Sequence, residues 1–68
     1  MEIFELKTET IQLNQLLKAV GWCENGAHAN IAIENGLVKV NGKTELRKRN
    51  KLGKNTIVTF ENKMLKIS

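Results

Sequence analysis

Residues 27–42, AHANIAIENGLVKVNG, change rhythm halfway along. Up to Asn35 the apolar side chains recur four apart, Ala27 with Ile31 and Ala29 with Ile33, as on one face of a helix. Beyond Gly36, Val38 and Val40 alternate with Lys39, the two-residue period of a strand with one apolar face. Gly36 stands at the change and predicts the end of the helix. Asn41-Gly42 is a strong short-range signal for a hairpin. Helix, stop, strand and reversal therefore follow one another within this stretch.

Working outward, Leu13, Leu16, Leu17 and Val20 fall at i, i+3, i+4 and i+7. That stripe predicts an amphipathic first helix over Ile11–Val20, with Thr10 as its N-cap and Gly21 at its end. Trp22–Gly26 reads as a tight loop, with Asn25 capping a second helix over Ala27–Asn35. Ile3, Phe4 and Leu6 suggest a short opening strand. Downstream, a returning strand is expected over Lys43–Arg49, with Leu46 inward and Glu45, Arg47 and Arg49 on the other face. Leu52–Asn55 reads as a turn, Thr56–Phe60 as a strand, Glu61-Asn62 as a turn and Lys63–Ile67 as a last strand. No repeat or linker interrupts the pattern. The expectation is one domain, residues 1–68, of the α+β class: two short helices on a small, mostly antiparallel sheet with four β-segments after the helices.

Composition narrows the chemistry. The chain has 68 residues and contains no aspartate, proline or tyrosine, and its single serine is Ser68. A domain of this size has little volume for an enclosed cleft. A serine–histidine–carboxylate triad would have to use Ser68. A structural zinc site wants four cysteine or histidine ligands, and only Cys23 and His28 exist. A Cys23–His28 dyad has no third group to orient it. Gly42-Lys43-Thr44 is no phosphate loop, because five residues separate Gly36 from Gly42 where the motif needs four, and strand-like sequence follows. The reading is a protein that is not an enzyme and needs no cofactor or metal. One cysteine allows no internal disulfide, no stretch approaches a membrane span, and MEIFELKTE lacks the basic opening of a secretory signal. A cytoplasmic protein is expected.

Charge is unevenly placed. Two lysines and five glutamates give residues 1–34 a net charge of −3, while nine cations and two glutamates give residues 35–68 +7. Lys43–Lys54 is densest, with Lys43, Arg47, Lys48, Arg49, Lys51 and Lys54 against Glu45 alone. A charge run is often only a solvated face. In an extended strand, however, Arg47, Arg49 and Lys51 would project on one side about 6.6 Å apart at ~3.3 Å per residue, close to a phosphate repeat. Arginine meets phosphate through paired hydrogen bonds. Such clustering is the footprint of a polyanion binder.

Other residues carry two readings. Asn25 is first a cap and second a backbone-contact residue; His28 is either a partly exposed helix residue or a phosphate or base contact; Asn30 is similar. The start of the second helix offers N–H groups to a phosphate. Trp22 is expected to pack in the core with Phe4 and Phe60, with base stacking the alternative. Cys23 reads as a small filler.

Leu13–Gly42 resembles the RNA-binding domain named after small-subunit ribosomal protein S4, the αL motif. The carriers are the two helices, Gly36, the Val38-Lys39-Val40 strand and the Asn41-Gly42 turn. The continuation KTELRKRNK (43–51) and the Gly21-Trp22 pair are similar to the short stand-alone bacterial members. Two positions depart from the pattern: Asn25-Gly26 stands where many members have Ser-Arg, and Asn30 where a basic residue is common. The resemblance implies non-catalytic binding of structured RNA, rRNA or tRNA, with possible ribosome association. The expected RNA-binding residues are Arg47, Arg49, Lys51, Lys48, Lys43, Asn25, His28 and Asn30, with Lys39 and Lys54 secondary. The alternative is a protein-interaction adaptor whose basic face binds an acidic protein. Duplex DNA ranks lower, since the second helix has no lysine or arginine to read base edges. A ubiquitin-like sulfur carrier would need a terminal Gly-Gly, and the chain reads Leu65-Lys66-Ile67-Ser68.

Overall fold

The computed structural model describes all residues, 1–68. Seven strands and two helices follow one another as β1 (Glu2–Phe4), β2 (Ile11–Gln12), α1 (Leu13–Ala19), α2 (Gly26–Glu34), β3 (Val38–Val40), β4 (Lys43–Thr44), β5 (Lys51–Leu52), β6 (Ile57–Phe60) and β7 (Lys63–Ile67). Five strands form a sheet in the order β1-β7-β6-β3-β4, and β2 and β5 make a separate antiparallel pair. Only β1 and β7 run parallel, so the α+β architecture with a mostly antiparallel sheet stands.

Alternation along the strands puts Val38, Val58, Phe60, Leu65 and Ile67 on the face that the helices cover. Ile3, Lys39, Thr59, Met64 and Lys66 share the other face. From α1 come Leu13, Leu16 and Leu17, and from α2 Ala29, Ala32 and Ile33. All fifteen buried residues are apolar, so every cation of the chain lies outside the core. Trp22 stacks on Phe60 at 6.4 Å between ring centroids, and its Nε1–H donates to Glu2 Oε2 at 3.2 Å. It is a core residue; Phe4 is only half-buried against that core.

Both helices end in glycines of left-handed conformation, Gly21 at φ 79° and Gly36 at φ 75°. A Cβ on Gly36 would also sit 3.7 Å from Thr44 Cγ2, so β4 passes close by. Asn41 (φ 51°) and Gly42 (φ 85°) make the two-residue hairpin turn, with Val40 opposite Lys43. Asn41 also ties this hairpin to β6: its N–H donates to Ile57 O at 2.8 Å and its Oδ1 accepts from Ile57 N–H at 2.9 Å.

Several expectations are corrected. The first helix begins at Leu13, not Ile11, because Ile11 and Gln12 pair with Leu52 and Lys51. Thr10 is not its cap; Gln12 holds that position and its side chain makes no capping bond. On α2 the stripe Ala29, Ala32 and Ile33 is buried, whereas Ala27 faces solvent and Ile31 is 57% exposed. A nine-residue helix turns only one face to α1 and the sheet together, and Ala27 and Ile31 lie off it. The returning strand stops at Thr44 instead of reaching Arg49, and Leu46 is 58% exposed rather than inward. Leu52 belongs to β5 and is buried, so the turn starts after it and five strands, not four, follow the helices.

Candidate nucleic-acid interface

After Thr44 the chain leaves the sheet and passes the start of α1, which has no side-chain cap. Helices begin with N–H groups that need acceptors from outside the helix. Here Leu13 N–H donates to Asn50 O at 2.9 Å and Asn14 N–H to Lys48 O at 3.0 Å. A turn closed by Asn50 N–H to Arg47 O, 3.2 Å, presents those carbonyls to the helix. The Lys48 and Asn50 carbonyls thus face α1, and the side chains of Arg47 and Arg49 are left exposed to solvent.

Two further contacts draw neighbouring elements into the same surface. Asn14 Nδ2 donates to Asn30 Oδ1 at 3.0 Å, joining the starts of α1 to the middle of α2. Lys48 Nζ lies 3.2 Å from Glu34 Oε2, joining the loop to the far end of α2. The Asn14 amide is only half satisfied, since its Oδ1 is buried without a hydrogen-bond partner.

Inside the loop, Glu45 is a hub that the sequence presents only as one acid among six cations. Its Oε2 accepts from Arg47 N–H at 2.9 Å and Arg47 Nε at 3.0 Å; its Oε1 accepts from Arg47 Nη2 at 3.2 Å and Asn50 Nδ2 at 3.0 Å. The Glu45 N–H is fixed to Val38 O at 3.0 Å. The Glu45 side chain is 13% exposed and that of Arg47 76%. Hydrogen bonds from the Arg47 side chain, then from its backbone, hold the Glu45 carboxyl below the usual carboxylate range, while burial works the other way. The pair raises Arg47 in turn. The only sequence signal for this hub is the spacing Glu-x-Arg.

The expected residues therefore fall into four groups. Lys43 (β4), Arg49 (turn), Lys51 (β5) and Lys54 are exposed and make no ion pair. Arg47 and Lys48 belong to the same loop but are engaged, by Glu45 and Glu34. Arg47, Arg49 and Lys51 do not line one strand face, since Lys48 and Arg49 form a turn. Asn30 adjoins the loop through Asn14. Asn25 and His28 stand apart: Asn25 Oδ1 accepts from His28 N–H at 2.8 Å as the cap of α2, and Glu24 N–H donates to His28 Nδ1 at 3.2 Å. At ~1.5 Å rise per residue, Asn25 lies about 13 Å along α2 from Glu34, where the basic loop docks. Cys23 is 2% exposed, and burial first, then the charge of Glu61, raises its thiol pKa, so it is an inert filler. The described residues bring no three metal-ligating side chains together, and no helix is long and apolar enough to cross a membrane.

Two helices laid on one face of a small, mostly antiparallel sheet make an α+β module of the kind in which an αL motif has been described. The chain belongs to the S4 domain family, whose model matches residues 4–68. It is 48% identical over 61 residues to YbcJ of Escherichia coli K12, covering 88% of this chain and 87% of that one. YbcJ of Shigella flexneri is similar to the same degree. The solution structure of the E. coli protein, described as revealing an αL motif involved in RNA binding, superposes with a TM-score of 0.75 at 43% identity over 98% of this chain and 86% of that one. The ribosomal protein S4e of Thermoplasma acidophilum shares the fold at a TM-score of 0.63 and 24% identity, over 85% of this chain and 31% of that one.

Proposed function

We propose that this protein binds structured RNA, rRNA or tRNA, without catalysis, in the cytoplasm. The observation that carries the reading is the inverted loop at residues 45–50. Its carbonyls cap α1, so its cations, with Lys43, Lys51 and Lys54 on either side, are presented to solvent on a framework already ordered. Ordering the loop in advance lowers the entropic cost of binding. Family membership and the αL motif of the E. coli relative point the same way.

Phosphate contacts from Lys43, Arg49, Lys51 and Lys54 set affinity, and shape sets selectivity, as for folded RNA generally. Arg47 and Lys48 contribute through the hydrogens their glutamate partners leave free. Asn30, held by Asn14 beside the loop, adds a polar contact from α2. Asn25 and His28 form an outlying contact at the start of α2. With about four phosphates neutralised, log affinity against log salt has a slope of roughly −3.

The test compares structured RNA, single-stranded RNA and duplex DNA at several salt concentrations. Structured RNA is expected to bind best, with the slope above. A slope near zero removes the phosphate mechanism. A nuclease-resistant acidic protein captured in place of RNA moves the basic face to the adaptor reading.

A further inference from the structure

Glu45 presents a paradox for a polyanion binder: a carboxylate stands in the middle of the basic cluster. Were it merely an uncompensated acid, it would repel phosphate and weaken the site. Its geometry suggests otherwise. Both oxygens are turned inward to Arg47 and Asn50, and the side chain is nearly covered, so little of its charge faces a ligand. Its N–H is bonded to β3, so the clasp is rooted in the sheet. Arg47 is gripped along Nε and one Nη2 hydrogen. Its Nη1 and the second Nη2 hydrogen remain free, a fork whose direction is set by the grip. Asn50 is held by the same carboxylate, and its carbonyl caps Leu13. One side chain therefore fixes the aim of a guanidinium and the seat of the loop on α1.

We infer that Glu45 is a positioning residue for RNA binding: it holds Arg47 and the 45–50 loop in the binding geometry, and its presence strengthens the site although its charge opposes the ligand. The inference rests on the RNA reading above and deepens it.

The sign of one substitution decides the matter. Glu45→Gln raises the net charge by one, so a site governed by charge alone binds structured RNA more tightly and with a steeper salt slope. With Glu45 positioning the loop, the same variant binds about tenfold more weakly, and the slope becomes shallower by about 1 as the Arg47 contact is lost. Glu5→Gln adds an equal charge on an exposed side chain that touches only Lys7, and is expected to bind as well as the parent or better. Arg47→Lys, which keeps the charge but cannot reproduce two guanidinium bonds to Glu45, is expected to weaken binding several-fold. Thermal unfolding of each variant without RNA separates a misfolded chain from a misaimed loop. Asn50→Ala, which removes a neutral partner of Glu45 and leaves every cation in place, answers the question if Glu45→Gln fails to fold: weaker binding is expected, and unchanged binding overturns the positioning role. Equal or tighter binding by Glu45→Gln, or equal weakening by Glu5→Gln, overturns the positioning role. A parent protein without salt-dependent affinity for structured RNA overturns the RNA reading itself, and this inference with it.

Discussion

At the start of α2, the side chain of Asn25 meets the His28 N–H three residues on; at the start of α1, the Leu13 and Asn14 N–H groups are met by carbonyls of Asn50 and Lys48, more than thirty residues further along the chain. The chemical need is the same, an acceptor for N–H groups that no helix can satisfy from within. The solutions have different reach. A side-chain cap stabilises its own helix and nothing else. A borrowed backbone cap couples α1 to a distant loop, and that loop carries the cations. The helix start that is capped locally thus lies at the end of α2 away from the Lys48–Glu34 contact, while the helix start that is not holds the candidate site in place.

That comparison can be broken at four levels. The largest effect is expected from Leu16→Ala, which leaves a cavity at a fully buried position of α1. A loss of about 2–5 kcal/mol is expected, read as a single denaturant transition reporting both helices and the loop. Separate transitions would show that loop and core are not coupled. Next, Arg49→Ala with Lys51→Ala is expected to weaken structured-RNA binding by about 1–3 kcal/mol while leaving the melting temperature unchanged, since neither side chain makes an ion pair in the fold. Undiminished binding removes both residues from the site. Asn25→Ala is expected to cost about 1 kcal/mol of stability through the lost cap. Amide exchange should then speed up in the first turn of α2 and stay slow at Leu13 and Asn14. The smallest effect is that of acid. Because the folded Glu45 carboxyl titrates below the usual carboxylate range, its contribution is present at neutral pH and is lost only as pH falls through that lowered value. NMR signals of Asn50 Nδ2–H and Arg47 Nε–H should shift there, below the range in which exposed glutamates titrate.

Much of the scaffold was legible because its signals are local. Asn41-Gly42 specifies its own turn, Asn25 its own cap, and Lys63–Ile67 a strand that the structure reproduces residue for residue. The segment after Thr44 failed for the opposite reason. KTELRKR alternates like a strand and contains neither glycine nor proline, so nothing nearby announces that the chain turns at Lys48-Arg49. The turn's hydrogen-bond partners are the first N–H groups of α1, a contact more than thirty residues distant and visible only in three dimensions. Ile31 and Leu46 mislead similarly: apolar by composition, they lie outside because the core is already filled by Ala29, Ala32, Ile33 and the sheet residues. For the candidate site, the sequence identified which cations cluster and missed which are already engaged. Glu45 and Glu34 decide that, one from inside the loop and one from α2.

The sheet order carries a consequence for how the molecule is made. Lys63–Ile67 lies between Ile57–Phe60 and Glu2–Phe4, with Leu6 N–H bonded to Ser68 O and Ser68 N–H to Phe4 O, both at 2.8 Å. The first of the seven strands therefore has no neighbour until the seventh has left the ribosome. Throughout synthesis the opening segment must wait unpaired, its Phe4 uncovered, and the sheet closes only when the two remotest stretches meet. Contacts of such long sequence separation slow folding relative to local ones, so closure of this edge is expected late, after the helices and the central hairpin have formed.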